Sequence, residues 1–161
     1  MSDKKLFAVE KAEKTLPLVR RIVGDIVRSF ERRESSMLER QKLGGSPNPG
    51  SAAEERAFQL DREIYKCEHE IIRYQRELED LGVELKDYKT GLVDFYSRHK
   101  DKLAYLCWKL DEGDRIAWWH SLEGGFKGRQ PLPPELRAAF LDGPDPSPAC
   151  TPEPHRQQRK S

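Results

Sequence analysis

The sequence predicts a mainly helical α+β protein, a long antiparallel coiled-coil helical hairpin followed by a small antiparallel β-meander. Three observations carry that expectation. Ala57, Leu60, Ile64, Cys67, Ile71, Tyr74, Leu78 and Leu81 recur at alternating spacings of three and four, the a/d seam of a helix packed lengthwise on another. A matching series lies upstream: Ala12, Leu16, Val19, Val23, Ile26, Phe30 and Met37, with Arg33 its one polar interruption. After Gly82 the apolar period shortens to two, with Val83, Leu85 and Asp87 alternating with Glu84 and Lys86, as in a strand.

Taken in order, Lys4 to Phe7 are expected as a short strand ahead of a first helix over 9–43. Pro17 either kinks that helix or sits in the first turn of one capped by Thr15. Leu18, Ile22, Val27 and Leu38 widen its apolar stripe beyond a narrow seam. The run Gly-Gly-Ser-Pro-Asn-Pro-Gly-Ser over 44–51 supplies turn geometry that no helix continues through. A second helix follows over 52–81, and two heptad helices joined so briefly are antiparallel neighbours. Charge agrees: seven basic residues face four acidic ones between Arg20 and Lys42, against five and nine between Glu54 and Asp80. Leu18, Ile22, Val27 and Phe58 lie off the seam and need cover from the downstream module or from a second copy. A protein partner, or self-association through the hairpin, is therefore the expected mode of assembly.

A β-module is expected over 83–132. Leu92 to Tyr96 and Leu103 to Leu110 read as strands, separated from their neighbours by turns at Tyr88–Gly91 and Asp111–Asp114. Arg115 to His120 is too short for periodicity to choose between strand and helical turn. Residues 1–132 make a single domain, and 133–161 a Pro-rich tail that is largely disordered beyond Asp142. One or two helical turns fit Glu135–Leu141, and the basic end reads as solvated.

Bulk composition narrows the function classes. A chain of 161 residues with 35% charged and 36% hydrophobic residues suits one domain with long solvated helices. A net charge of +1 supplies no overall field, so nucleic acid is not an expected partner. No apolar run is long enough for a membrane span, and the opening Met-Ser-Asp-Lys-Lys lacks a signal peptide's apolar stretch. A cytoplasmic protein is expected. The three cysteines, Cys67, Cys107 and Cys150, form no CxxC pair, which argues against a disulfide framework and a four-Cys zinc site.

Several motifs recur in a fixed order. These are Gly91-Leu92-Val93-Asp94-Phe95, Tyr105-Leu106-Cys107-Trp108, Trp119-His120, and Gly125-Phe126-Lys127-Gly128-Arg129-Gln130-Pro131-Leu132. With Phe7-Ala8-Val9-Glu10-Lys11-Ala12, Leu16-Pro17 and Gly82-Val83-Glu84-Leu85-Lys86-Asp87, they give residues 4–132 a pattern that resembles a prokaryotic family known only as domain of unknown function 2203. Ala8 stands where that pattern usually has a threonine able to cap the first helix. The resemblance implies the architecture above and brings no established activity.

Two chemistries compete within the module. Asp94, Cys107, His120 and Glu123 are its grouped metal-competent residues, and thiolate, imidazole and carboxylate together suit zinc or iron. That set would make a metal-dependent, hydrolase-like enzyme. A Cys107–His120 nucleophile pair, oriented by Asp94 or Glu123, is a second and separate enzymatic option. Alternatively, Asp94, Trp108, His120 and Arg129 recognise a partner or a small anionic ligand, making the chain a non-enzymatic interaction protein, which is the leading expectation. Gly124–Arg129 adds glycines and two cations that suit an anion, or simply form a turn. Strand alternation places Cys107 with Leu103 and Tyr105, and Trp108 with Ala104 and Leu106, so the two side chains cannot share one core-facing side. Four donors converging would mark the enzyme. A salt-bridged Asp94–Arg129 beside a buried Cys107 would mark the binding module.

Overall fold

Helices α1 (Val9–Lys42) and α2 (Ala52–Asp80) form the hairpin in a computed structural model of the chain, which describes residues 4–142. Pro17 lies inside α1 and does not mark its start. Ala8 is the N-cap residue and offers no side-chain hydrogen bond. Thr15 does not cap the helix; its hydroxyl instead donates to the Ala12 carbonyl at 2.7 Å. Helix α2 begins more firmly, because the Ser51 hydroxyl accepts the Glu54 N–H at 3.1 Å, the N-terminal half of a Ser-x-x-Glu capping box.

The opposite charge excesses of the two helices meet across the seam. Arg33 Nε donates to Glu68 at 2.9 Å, Arg40 Nε to Asp61 at 3.0 Å and Arg56 to Glu39 at 2.6 Å. Ser29 donates to Glu70 at 3.0 Å. Arg33, the polar break in the heptad series, thus serves as a cross-helix tie. Partly exposed pairs contribute about 0–1 kcal/mol each, so they fix alignment more than they add stability.

Six strands follow: β1 (Val83–Asp87), β2 (Leu92–His99), β3 (Lys102–Trp108), β4 (Trp118–Ser121), β5 (Gln130–Pro131) and β6 (Phe140–Leu141). They form one antiparallel sheet in the order β1-β2-β3-β4-β5, with β6 on β2. Strand β2 runs further than expected and β3 stops two residues short of Leu110. The ambiguous Arg115–His120 stretch becomes a strand only from Trp118. Residues 4–7 form no strand. Instead the Phe7 N–H donates to Tyr96 O at 2.8 Å and Ser97 Oγ donates to Phe7 O at 2.6 Å. This contact fills the edge of β2 between its pairings with β1 and with β6.

The packed chain also runs past residue 132. A helical turn, α3 (Pro134–Arg137), leads into β6, where Phe140 is buried. The expected tail over 143–161, with Cys150, lies outside the described residues.

One sheet face packs on the hairpin. Val83, Val93, Phe95, Ala104, Leu106 and Trp108 join a continuous core with Leu16, Val19, Val23 and Ile26 of α1 and Ile71 and Leu78 of α2. Ile22 and Val27 are buried, at 5% and 8% exposure, whereas Leu18 and Phe58 stay at 47% and 62%. Polar ties lock the same interface. Trp108 Nε1 donates to Gly113 O at 2.9 Å, Arg20 donates to that same carbonyl, and Glu13 accepts Ile116 N–H at 3.1 Å and pairs with Arg137. Cys67 and Cys107 are buried free thiols. Among the described residues no helix is long and apolar enough to cross a membrane.

Turn and helix approach closely at Gly91, which closes the β1–β2 connection at φ +67°. An added Cβ would lie 2.7 Å from Val23 Cγ1 and 3.0 Å from Leu110 Cβ. Gly91→Ala combines a left-handed backbone with overpacking and should cost about 2–4 kcal/mol, measured as a lower urea midpoint at unchanged m-value. Gly113→Ala, also at positive φ but with open space around it, should cost only about 1–2 kcal/mol.

Candidate metal centre

The face of the sheet turned away from the hairpin carries the chemistry. Residues directly opposite across an antiparallel pair share a face. Asp94 is opposite Cys107, Tyr96 opposite Tyr105, Tyr105 opposite His120, and Cys107 opposite Trp118. Asp94, Cys107 and His120 therefore project from three adjacent strands to one side. Their donor atoms, a carboxylate oxygen, Sγ and a ring nitrogen, lie within 4.8 Å of one another.

All three side chains are buried, at 3%, 0% and 4% exposure. Trp108, on the other side of β3, is also at 0%. The alternation argument holds, since the two point opposite ways, but the face opposite the hairpin is closed over as well. Aromatic rings and ion pairs border the trio. Tyr105 lies 4.9 Å from the His120 ring and 4.7 Å from Tyr96. The Arg129 guanidinium sits 4.8 Å from the Trp118 ring and pairs with Glu112. Lys86 lies 5.7 Å from the Tyr105 ring.

The hydrogen bonds of His120 define what the trio can hold. Nδ1 is 2.9 Å from Ser121 O, and a carbonyl only accepts, so Nδ1 carries the proton. Nε2 then faces the two Asp94 oxygens at 3.1 and 3.2 Å. A lone pair aimed at an ionised carboxylate is repelled, so a proton or a metal ion must lie between them. The buried Asp94 carboxyl, its pKa raised, can supply that proton, and a metal ion would take the same place. A backbone carbonyl on one ring nitrogen, fixing tautomer and orientation while the other nitrogen meets the ligand cluster, is the usual support of a metal-bound histidine.

Burial sets the ionisation of the other two. It raises Asp94 above the ordinary carboxylate range, against the opposing pull of His120 and, more weakly, of Cys107 and Lys86. It pushes the Cys107 thiol up to about 12, helped by Asp94 and opposed by Arg129. A fully buried thiol with so high a pKa is a poor nucleophile, and the neighbour of His120 Nε2 is Asp94. The trio suits metal ligation, in which the cation itself draws off the thiol proton.

The remaining sequence candidates are dispersed. Glu123 is exposed in the turn after β4 and is not part of the cluster. Trp108 belongs to the hairpin-facing core. Arg129 stands near Cys107 but pairs with Glu112 rather than Asp94. Neither expected signature is complete: three donors converge instead of four, and Asp94 is held by His120. In the Gly124–Arg129 turn, the Gly124 N–H goes to Ser121 Oγ at 3.1 Å and the Gly128 N–H to Gly124 O and Gly125 O at 3.0 Å, so both are spent internally. Sequence reasoning missed Glu112 and Glu84. Glu84 lies opposite Asp94 in the β1–β2 pairing, which its strand alternation signals once the register is known.

No curated protein and no solved structure matches the chain. A family model described as an uncharacterised conserved protein, DUF2203, matches residues 5–132, a span that holds the hairpin and the Asp94–Cys107–His120 cluster. The chain belongs to the DUF2203 family.

Proposed function

We propose that this protein is a non-enzymatic metal-binding protein whose β-module holds one divalent transition-metal ion between Asp94, Cys107 and His120. The observation that carries the reading is the convergence of the three donors within 4.8 Å. The His120 tautomer fixed by Ser121 supports it. Thiolate, imidazole and carboxylate are ordinary zinc donors, and iron is the second match. Burial of all three ligands favours a held ion over a reaction centre, because catalytic sites keep a position open to substrate. An anion site built from Asp94, Trp108, His120 and Arg129 is less favoured, since Trp108 faces the hairpin and two carboxylates, Asp94 and Glu112, stand beside the cations. A reducing, cytoplasmic setting suits a thiol ligand. The hairpin then serves as the interaction element of the molecule.

Elemental analysis of the untagged protein after exposure to zinc tests this directly. We expect near-stoichiometric metal in the wild type and in Glu123→Ala, lost in Cys107→Ala and His120→Ala. Metal-free wild type that stays folded after zinc exposure overturns the reading.

The raised Cys107 pKa fixes the direction of the pH effect. At neutral pH the thiol holds its proton, so each bound ion must displace at least that proton. Zinc affinity should therefore rise with pH, by about tenfold per unit or more between pH 6 and 8. Competition titration with a chromogenic chelator reads this slope, and a flat profile excludes thiolate ligation.

Asp94 separates the metal role from a structural one. In Asp94→Asn the side-chain amide can donate to His120 Nε2 and no carboxylate charge is buried. The metal-free fold should be as stable as wild type or more so, while the rise in melting temperature on adding zinc disappears. Asp94→Ala instead leaves a buried ring nitrogen unpartnered and should cost about 1–3 kcal/mol.

A further inference from the structure

Beside the outer face of the sheet, Glu112 and Arg129 form an ion pair whose side chains are only 14% and 11% exposed. Burying two charges costs much of what their attraction returns, so stabilising the fold is a poor explanation for the pair. Its position suggests a better one. Trp118 stands directly opposite Cys107 across the β3–β4 pairing, and the Arg129 guanidinium lies over the Trp118 ring at 4.8 Å. Gln130 pairs with Trp119, so Arg129 is the next residue along that ladder, in line with His120. Glu112 holds the guanidinium from the β3–β4 connection, where its other oxygen accepts the Lys109 N–H at 3.1 Å.

We propose that Arg129 is a positioning residue of the metal centre, clamped by Glu112 and Trp118 so that its guanidinium donates a hydrogen bond to the Cys107 sulfur. This role rests on the metal-binding reading and adds to it the group that orients the thiolate. A guanidinium carries five N–H donors in a rigid fork. Glu112 engages one end of that fork, and Arg129 also meets the Cys107 side chain through charge and a hydrogen bond. Charge balance permits a cation here. Asp94 and an ionised Cys107 together match a divalent ion, and Glu112 offsets Arg129, so the guanidinium adds no net charge beside the metal.

Outer hydrogen-bond partners orient metal ligands and tune their donor strength. Ser121 O does this for His120 by accepting its Nδ1 proton. A thiolate has no proton to give, so its outer partner must be a donor, and Arg129 supplies one. The anion that Arg129 recognises is then the chain's own thiolate rather than a separate ligand.

Cobalt and zinc titrations of the full chain test this role, comparing wild type with the double variant Glu112→Gln/Arg129→Met. Removing both charges leaves no buried carboxylate unpaired. We expect the variant to keep its far-UV helicity and to bind either metal about 10–100-fold more weakly. Its sulfur-to-cobalt charge-transfer band should move to longer wavelength, because a thiolate relieved of a hydrogen bond gives up electron density more readily. Arg129→Lys keeps the charge opposite Glu112 but loses the fork, and its band should move the same way by less. A pair that only braces the fold would lower the melting temperature and leave the band of the loaded protein in place. Binding as tight as wild type, or a band unchanged in both variants, overturns the role of Arg129 and leaves the metal reading standing. Folded wild type that takes up neither metal overturns both.

Discussion

Between Val9 and Val27, α1 presents apolar side chains to two neighbours at once, the seam of α2 on one side and the β-sheet on the other. A helix with so wide an apolar surface is unstable in water until both flanks are covered. That requirement dictates where the sheet sits. Val93, Phe95, Leu106 and Trp108 must face α1, and alternation then commits Asp94, Tyr96, Tyr105 and Cys107 to the opposite side. The polar ties at Gly113, Glu13 and Phe7 hold the sheet in that position without setting it. Gly91, pressed against Val23, marks how closely turn and helix approach.

The composition of the candidate site follows from this constraint. A small sheet with one face against helices normally leaves the other to solvent. Here the second face buries a carboxylate, a thiol and an imidazole side by side. Burying such groups is costly unless each is paired, and the raised pKa values of Asp94 and Cys107 express that cost. A divalent cation bound there, as proposed, would neutralise Asp94, ionise Cys107 and accept the His120 lone pair. Without metal, a proton shared between His120 and Asp94 does part of the same work.

The hairpin shows a division of labour along its length. Near its open end α1 is enclosed by α2 and the sheet. Towards the Gly44–Ser51 loop the two helices are alone, tied by Arg40–Asp61 and Arg56–Glu39 and bearing exposed Leu38 and Phe58. A two-helix layer cannot bury side chains all round, so this half is where apolar surface remains available to another molecule. Phe58 and Tyr65 of α2 are exposed there at 62% and 64%.

Much of this architecture was legible in the sequence because it depends on local periodicity. The two three-and-four series, the Gly- and Pro-rich loop and the shift to alternation after Gly82 are properties of neighbouring residues, and the helices begin and end within one residue of the expected limits. Three of the four residues singled out by type alone, Asp94, Cys107 and His120, are the ones that converge. Tertiary structure decided what depends on pairing between distant segments. The register of β2, β3 and β4 gathers Asp94, Cys107 and His120 and leaves Glu123 outside, and no spacing in the chain encodes that register. The edge of β2 recruits Phe7 and Phe140 from opposite ends of the described chain, which carries the packed unit to Leu141. Trp108 and Cys107 are adjacent in sequence and buried on opposite faces, because β3 has neighbours above and below it. Local sequence chose the elements and their faces; which faces meet was decided by the need to cover α1 on two sides.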